Sequence, residues 1–443
     1  MADVRTGRLE TLGAGPGFGT EPFRASPTPL LWHPDGRRLV AQASDGRLWS
    51  LTAGGSAPPM VLDTPDPHPE AVHRPGTSRL LTSSGDTALV VSRRPGTLAS
   101  TSTISGVPLD GSPAAVLVEV DGTASFATGG VSDDGRTIVF TAEDDDRPAD
   151  FWAFAPTEPA PRSPRQLTRL NPRLEGLTFG RSRRLPFTSA SKREALGTRL
   201  LLPAEGDPPF PTVVCVYPSA VTNSRSVGRW DALDQGIVHA QILAGRGWAV
   251  LFPDWPTGRP HTTPGPEDTA EIVDPAIDAA VSAGFADPAR LAVIGQSNGG
   301  CAVNLLVTTT DRFKAAVSAD GMSDLFSFFG QLRISPDGYP LGFSTNVAQA
   351  RGMPPWAGDG LRRDSAVARL DRVATPLLLV HGRDDSVVGF EQSGEMFVGL
   401  SFLGKEVTLL AYHGESHVPS RFREANRVHM TNEVLAFLDH HLG

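Results

Sequence analysis

The segment Leu291-Ala292-Val293-Ile294-Gly295-Gln296-Ser297-Asn298-Gly299-Gly300 constrains this chain more than any other. A short apolar run breaks at a Gly-x-Ser-x-Gly turn and continues into residues that can start a helix. A strand that turns this sharply needs small residues on both sides of the serine, because the turn is tight and strained. Such a turn lifts the serine Oγ above the edge of a sheet and aims the helix N-terminus at the group the hydroxyl meets. The bare pattern is common by chance. Its place between a buried strand and a helix start gives it weight, against the alternative of a Gly-rich loop with a capping serine.

The flanking sequence supplies the sheet. Apolar runs at 211–217, 247–252, 290–294, 314–318, 376–380 and 406–410 read as buried strands. Segments 230–245, 269–283 and about 424–441 read as helices, and another starts near Asn298. Continuous apolar strands alternating with helices imply a parallel sheet covered on both faces. The expected fold class is α/β, with this domain spanning 176–443.

Residues 1–175 read differently. Short β-type runs such as 38–41, 88–91 and 137–140 are broken by Gly, Pro, Asp and Ser, with no convincing amphipathic helix. His33-Pro34-Asp35-Gly36-Arg37-Arg38-Leu39-Val40 parallels Ser132-Asp133-Asp134-Gly135-Arg136-Thr137-Ile138-Val139. In both, an Asp-Gly turn launches an apolar strand, as glycine accepts positive φ without a Cβ clash. This is how propeller blades repeat, and a blade takes about 40–50 residues. The region therefore holds three or four, too few for a full propeller, and is expected to be an all-β, partial β-propeller-like domain. Its open strand edges would need cover, by the second domain or by another copy in a homo-oligomer. The Pro-rich stretch 155–175 reads as a strand exit and linker.

The chain has 443 residues and a net charge of −9, which argues against a nucleic-acid partner and against docking on anionic membranes. No stretch approaches the length of a membrane span, and no secretory leader is visible at Met1-Ala2-Asp3-Val4-Arg5. The two cysteines, Cys215 and Cys301, fall in apolar runs and make no disulfide framework, so a cytoplasmic location is expected. No clustered metal-ligand spacing occurs, and neither metal nor cofactor is expected.

A serine hydroxyl needs a base, and the base needs an orienting carboxylate. On this kind of sheet they come in the order Ser, Asp or Glu, His, each after a later strand. The run ending at Val380 is followed by His381-Gly382-Arg383-Asp384-Asp385-Ser386-Val387-Val388. The run ending at Leu410 is followed by Tyr412-His413-Gly414-Glu415-Ser416-His417. Spacing leaves Asp384 and Asp385 open, and His413 and His417, with the later histidine favoured. His381 reads as a structural loop residue. His440 and His441 read as solvated at a helix C-terminus, where the dipole suits them.

From about residue 165 onward the chain resembles the prolyl oligopeptidase family of serine peptidases, which includes acylaminoacyl and dipeptidyl peptidases. The resemblance implies an α/β-hydrolase catalytic domain preceded by a β-propeller. The family's His-Gly-x-x-Asp-x-x-Val maps onto 381–388 and selects Asp385; its Gly-Glu-x-His maps onto 414–417 and selects His417. Asp311-Arg312-Phe313-Lys314-Ala315-Ala316-Val317 and Pro164-Arg165-Gln166-Leu167-Thr168 also look like family segments. The implied oxyanion donors are the N–H of Asn298 and the hydroxyl of Tyr217, for which a core tyrosine at a strand end is the alternative. The chain departs from the family at Pro218-Ser219-Ala220 and at Pro253-Asp254-Trp255-Pro256-Thr257-Gly258, which line the substrate approach. Glu143-Asp144-Asp145-Asp146 reads as an acidic hairpin loop rather than an amine-holding site.

The expected activity is that of a serine peptidase acting on short peptides or N-acylated peptides, with Ser297, Asp385 and His417 as its triad. An esterase, amidase, isopeptidase or macrocyclase would use the same acyl-enzyme. An inactive hydrolase-fold binding module is the alternative of another class.

Overall fold

A computed structural model describes residues 31–42, 48–52, 58–62, 79–82, 84–93, 101–144, 147–156, 163–190, 195–218, 237–255, 266–331, 356 and 359–443. These fall into two compact units, one running to Leu177 and the other comprising the described residues from Thr178.

Among the described residues the first unit holds three four-stranded antiparallel sheets. The first is β1 (Leu31–Trp32), β2 (Arg38–Gln42), β3 (Leu48–Thr52) and β4 (Met60–Leu62). The second is β5 (Arg79–Leu81), β6 (Thr87–Arg93), β7 (Thr101–Pro108) and β8 (Ala115–Asp121). The third is β9 (Thr123–Val131), β10 (Ile138–Asp144), β11 (Arg147–Phe154) and β12 (Arg165–Gln166).

Each sheet has the same launching turn. Gly36 donates its N–H to the His33 carbonyl and Gly135 to that of Ser132, both at positive φ. Asp35 and Asp134 each accept backbone N–H groups just beyond the glycine. A third copy at Thr82–Thr87 has Gly85 donating to the Thr82 carbonyl. There Ser84 stands where the others carry Asp, which hides the repeat from a search for Asp-Gly. The three copies are roughly 50 residues apart, about one blade length.

Strand β6 shows why the sheets pack. Its side chains alternate with period two. Leu89 and Val91 join Ile104, Phe126, Ile138 and Phe140 of the second and third sheets. Ala88 and Val90 join Val40, Leu48 and Leu62 of the first. The 155–175 stretch differs from a plain linker: β12 closes the third sheet, with Trp152 opposite Gln166. The buried Asp150 carboxylate ties it down, accepting the Thr168 hydroxyl at 2.7 Å and the Leu170 N–H at 2.9 Å.

The second unit is built on one eight-stranded sheet. Its strands are β13 (Arg181–Thr188), β14 (Ala195–Leu202), β15 (Phe210–Cys215), β16 (Ala249–Pro253), β17 (Ala286–Gln296), β18 (Ala315–Ala319), β19 (Leu377–Gly382) and β20 (Val407–Tyr412). The order is β13-β14-β16-β15-β17-β18-β19-β20. The strands from β16 to β20 in that order run parallel, and β13 and β14 are antiparallel.

Seven helices accompany the sheet among the described residues: α1 (Ala240–Gly245), α2 (Pro266–Ser282), α3 (Asn298–Leu306), α4 (Leu325–Gly330), α5 (Gly360–Arg363), α6 (Phe390–Phe402) and α7 (Glu424–Leu442). Val214, Leu251, Val293 and Leu379 pack on one face with α2, α3 and α6. Val213, Val250, Ala292 and Leu378 pack on the other with α1 and α7. Both faces are therefore apolar, which is why the strands read as unbroken apolar runs. The expected α/β-hydrolase sheet and the N-terminal all-β region are both present. The expected helix 230–245 is α1 at its end; 230–236 lie outside the described residues. Among the described residues no helix is long and apolar enough to cross a membrane.

Candidate active site

Ser297 stands between β17 and α3 at φ 57 and ψ −116. That conformation costs about 1–3 kcal/mol and persists only where surroundings impose it. Here they do. The Ser297 N–H donates to the Ala319 carbonyl at 2.9 Å, and its carbonyl accepts the Cys301 N–H at 2.9 Å. The glycines are required by close approach. A Cβ on Gly295 would lie 2.4 Å from the Gly299 carbonyl oxygen, and one on Gly299 would lie 2.1 Å from that of Val216.

His417 comes after β20 and Asp385 after β19. The His417 Nε2 is 2.9 Å from the Ser297 Oγ, and its Nδ1 is 2.7 Å from the Asp385 Oδ2. The other carboxylate oxygen of Asp385 accepts the Val387 and Val388 N–H groups at 2.7 and 2.9 Å. Burial pushes the Asp385 carboxyl up, but hydrogen bonds from His381 and His417 outweigh it and hold it down at about 2. An ionised Asp385 can only accept, so the imidazole carries its proton on Nδ1 and leaves Nε2 to accept from serine. Asp384 and His413, the competing residues, are both exposed.

Four further residues shape this arrangement, and the sequence assigns none of them a role at the site. Gln296 donates its side-chain N–H to the His417 carbonyl at 2.9 Å, tying the histidine loop to the Ser297 turn. The buried Glu415 accepts the Arg423 N–H at 3.1 Å and the Asn426 amide at 2.6 Å, tying the same loop to α7. His381 is no loop residue. It is buried in β19, with Nδ1 2.7 Å from the Ser393 Oγ and Nε2 3.0 Å from the Val388 carbonyl and 3.3 Å from Asp385. Asp320, after β18, is fully buried at φ 46. Its position after a central strand was the available signal.

Tyr217 lies two residues past β15, and its side chain hydrogen-bonds that of Ser297. Burial raises its phenol above the ordinary value and the Ser297 hydrogen bond works against that, although 36% of the residue's surface is exposed. Asn298 opens α3 directly after Ser297. Its N–H is among the first of the helix, which have no intrahelical acceptor.

The remaining sequence candidates lie elsewhere or have other partners. His441 is not solvated, with Nδ1 2.9 Å from the Phe437 carbonyl and Nε2 3.1 Å from Glu406. Asp254 is buried and paired with Arg184, and Trp255 is buried beside it; 256–258 lie outside the described residues. So do Ser219 and Ala220, as well as Asp145 and Asp146 of the acidic stretch. Among the described residues, the grouping of potential metal ligands is Asp320, Asp385 and His417, with atoms within 4.8 Å of one another. Asp385 and His417 already use theirs on each other.

Residues 265–443 match the model of the prolyl oligopeptidase family. The chain is 32% identical over 214 residues to "Uncharacterized peptidase YuxL" of Bacillus subtilis (strain 168), covering 46% of this chain and 31% of that protein. It is 29% identical over 148 residues to the acylamino-acid-releasing enzyme of Arabidopsis thaliana, covering 32% of this chain and 19% of that protein. The matched stretch thus spans less than a third of either relative. Among solved structures, a puromycin-hydrolyzing peptidase of Mycobacterium tuberculosis superposes with a TM-score of 0.73 at 22% identity, over 94% of this chain and 61% of that one. At that identity the likeness speaks to the fold.

Proposed function

With residues 265–443 matching the prolyl oligopeptidase family model, we propose that this chain is a serine peptidase that cleaves short peptides or N-acylated peptides through an acyl-enzyme. The observation that carries this is the continuous relay from Asp385 through His417 to Ser297, at 2.7 and 2.9 Å. The Ser297 Oγ attacks the scissile carbonyl as its proton passes to His417 Nε2. The imidazolium is held by Asp385 and returns the proton to the leaving amine. Water then repeats the cycle on the ester and frees Ser297. The Asn298 N–H and the Tyr217 hydroxyl hold the oxyanion. Tyr217 suits this role because a phenol beside Ser297 with a raised pKa stays a donor across the neutral range.

Tyr217→Phe should lower kcat about 100-fold with KM and melting temperature nearly unchanged, since loss of one oxyanion donor costs about 2.7–4 kcal/mol of barrier. Steady-state kinetics beside a thermal melt checks this. A kcat within about threefold of wild type would take Tyr217 out of the hole.

We assign residues 1–175 as a partial β-propeller-like domain and 176–443 as the catalytic domain. Three launching turns of one geometry support the blade reading. The free cysteines Cys215 and Cys301 fit a reducing, cytoplasmic setting. The substrate class is tested by offering N-acyl peptide anilides and simple aryl esters of matched leaving group. A peptidase should turn over the acyl peptides with kcat/KM about tenfold or more above the esters, because binding along the peptide is spent on the reaction. Turnover of esters alone would make it an esterase.

A further inference from the structure

Asp320 has a buried carboxyl that the triad mechanism leaves unused. Its left-handed backbone, φ 46, is a strained position for a residue other than glycine. It is held from two sides: its N–H donates to the Val380 carbonyl at 2.9 Å, and its Oδ1 accepts the Gly382 N–H at 3.1 Å. Its Oδ2 is buried and meets no hydrogen-bond partner among the described residues.

Among the described residues, three titratable side chains face it. His381 from β19 has its Nε2 3.7 Å from the Asp320 Oδ1. Asp385, from the loop after β19, and His417, from the loop after β20, offer atoms within 4.8 Å of Asp320 and of each other. The helix α3 abuts the same segment where Gly300 meets Gly321. It carries no Asp, Glu, Lys, Arg or His, and its thiol, Cys301, belongs to the apolar layer. On the other face α7 presents Met430, Val434 and Leu438 to the layer that includes β18.

Two carboxylates this close, shut away from water, do not both ionise readily. The donors decide which one holds the charge. Asp385 accepts from two backbone N–H groups and from the His417 ring, with His381 at 3.3 Å. Asp320 accepts from one backbone N–H. Burial, followed by the charge on Asp385, holds the Asp320 carboxyl well above the usual carboxylate range, against the pull of the Gly382 N–H.

We propose that Asp320 is a positioning residue of the active site, a proton-bearing neighbour of Asp385 that acts on His417 through its own charge state. This rests on Ser297, His417 and Asp385 being the triad. With its proton in place, Asp320 leaves Asp385 the one anion beside the imidazole. When the proton leaves to solvent, a second negative charge stands within reach of the ring and His417 becomes a stronger base. No other bond changes.

The test is the pH dependence of the rate at which a fluorophosphonate labels Ser297, which requires no known substrate. Asp320→Asn keeps the shape, tolerates the left-handed backbone and cannot ionise. Wild type and variant should share the same acid limb and agree within about threefold at neutral pH. Wild type should show a second, alkaline rise of about threefold, as expected for a stronger general base, and Asp320→Asn should lack it. Profiles that superpose at every pH would overturn the proposal, as would an acid limb displaced in the variant, since Asp320 would then be an anion at working pH. If Asp320→Asn does not fold, proton NMR of wild type decides. The low-field His417 Nδ1 proton should shift at the pH of the alkaline rise, and a resonance that stays fixed there overturns the assignment. Absence of labelling in wild type at any pH would be a different failure, that of the triad itself.

Discussion

Replacing Ser297 with alanine should lower kcat on the order of 10⁶-fold and abolish fluorophosphonate labelling. The size reflects the geometry. The Ser297 Oγ is the atom 2.9 Å from His417 Nε2, and without it His417 has no hydroxyl to activate in the proposed acyl-enzyme route. Loss of a triad nucleophile in comparable serine hydrolases is of this order, and a residual catalysis of about 10³–10⁴-fold over water survives through the oxyanion donors and binding. The fold should not suffer, because the turn is held by backbone hydrogen bonds from Ser297 to Ala319 and from Cys301 to Ser297. An unchanged thermal melt is the control. A Ser297→Ala protein that keeps more than about 1% of wild-type turnover would place the nucleophile elsewhere.

Asp385→Asn should lower kcat about 10⁴-fold while leaving substrate binding nearly intact. The carboxylate is unable to donate, which is what assigns the imidazole proton to Nδ1. An amide in its place can present N–H to that nitrogen and favour the opposite tautomer, with Nε2 protonated and unable to take the serine proton. Asn can still accept from Val387 and Val388 through its oxygen, so the loop after β19 keeps its shape. The measurement is kcat and KM of the variant alongside Asp384→Asn. Asp384 is exposed, and its variant should stay within about twofold of wild type, as surface changes usually do. Comparable losses in the two variants would refute the choice between the adjacent carboxyls.

Much of the hydrolase unit was legible because its strands are buried on both faces. Burial of that kind favours apolar runs, and β15, β16, β18, β19 and the second half of β17 show them, while the edge strand β20 is only partly buried. The first unit was less legible. Its second launching turn replaces Asp with Ser84 while keeping the backbone hydrogen bonds of the other two. Strand β12 is two residues long and polar, and it is held by Asp150 rather than by burial of its own side chains. The contacts of Gln296, Glu415 and His381 are hidden for a related reason. Each acts through a partner distant in sequence: His417, Asn426 or Ser393.

The order of elements, the small residues around Ser297 and the identities of the reacting groups are properties of the one-dimensional chain, because they reflect local sterics and the alternation of apolar segments. Which of two adjacent acids meets the ring, a choice the resemblance had implied, and that Asp320 lies beside Asp385 and His417 were decided by the packed sheet. Those outcomes depend on distances across β17, β18, β19 and β20, and a through-space field between side chains leaves no periodic trace in sequence.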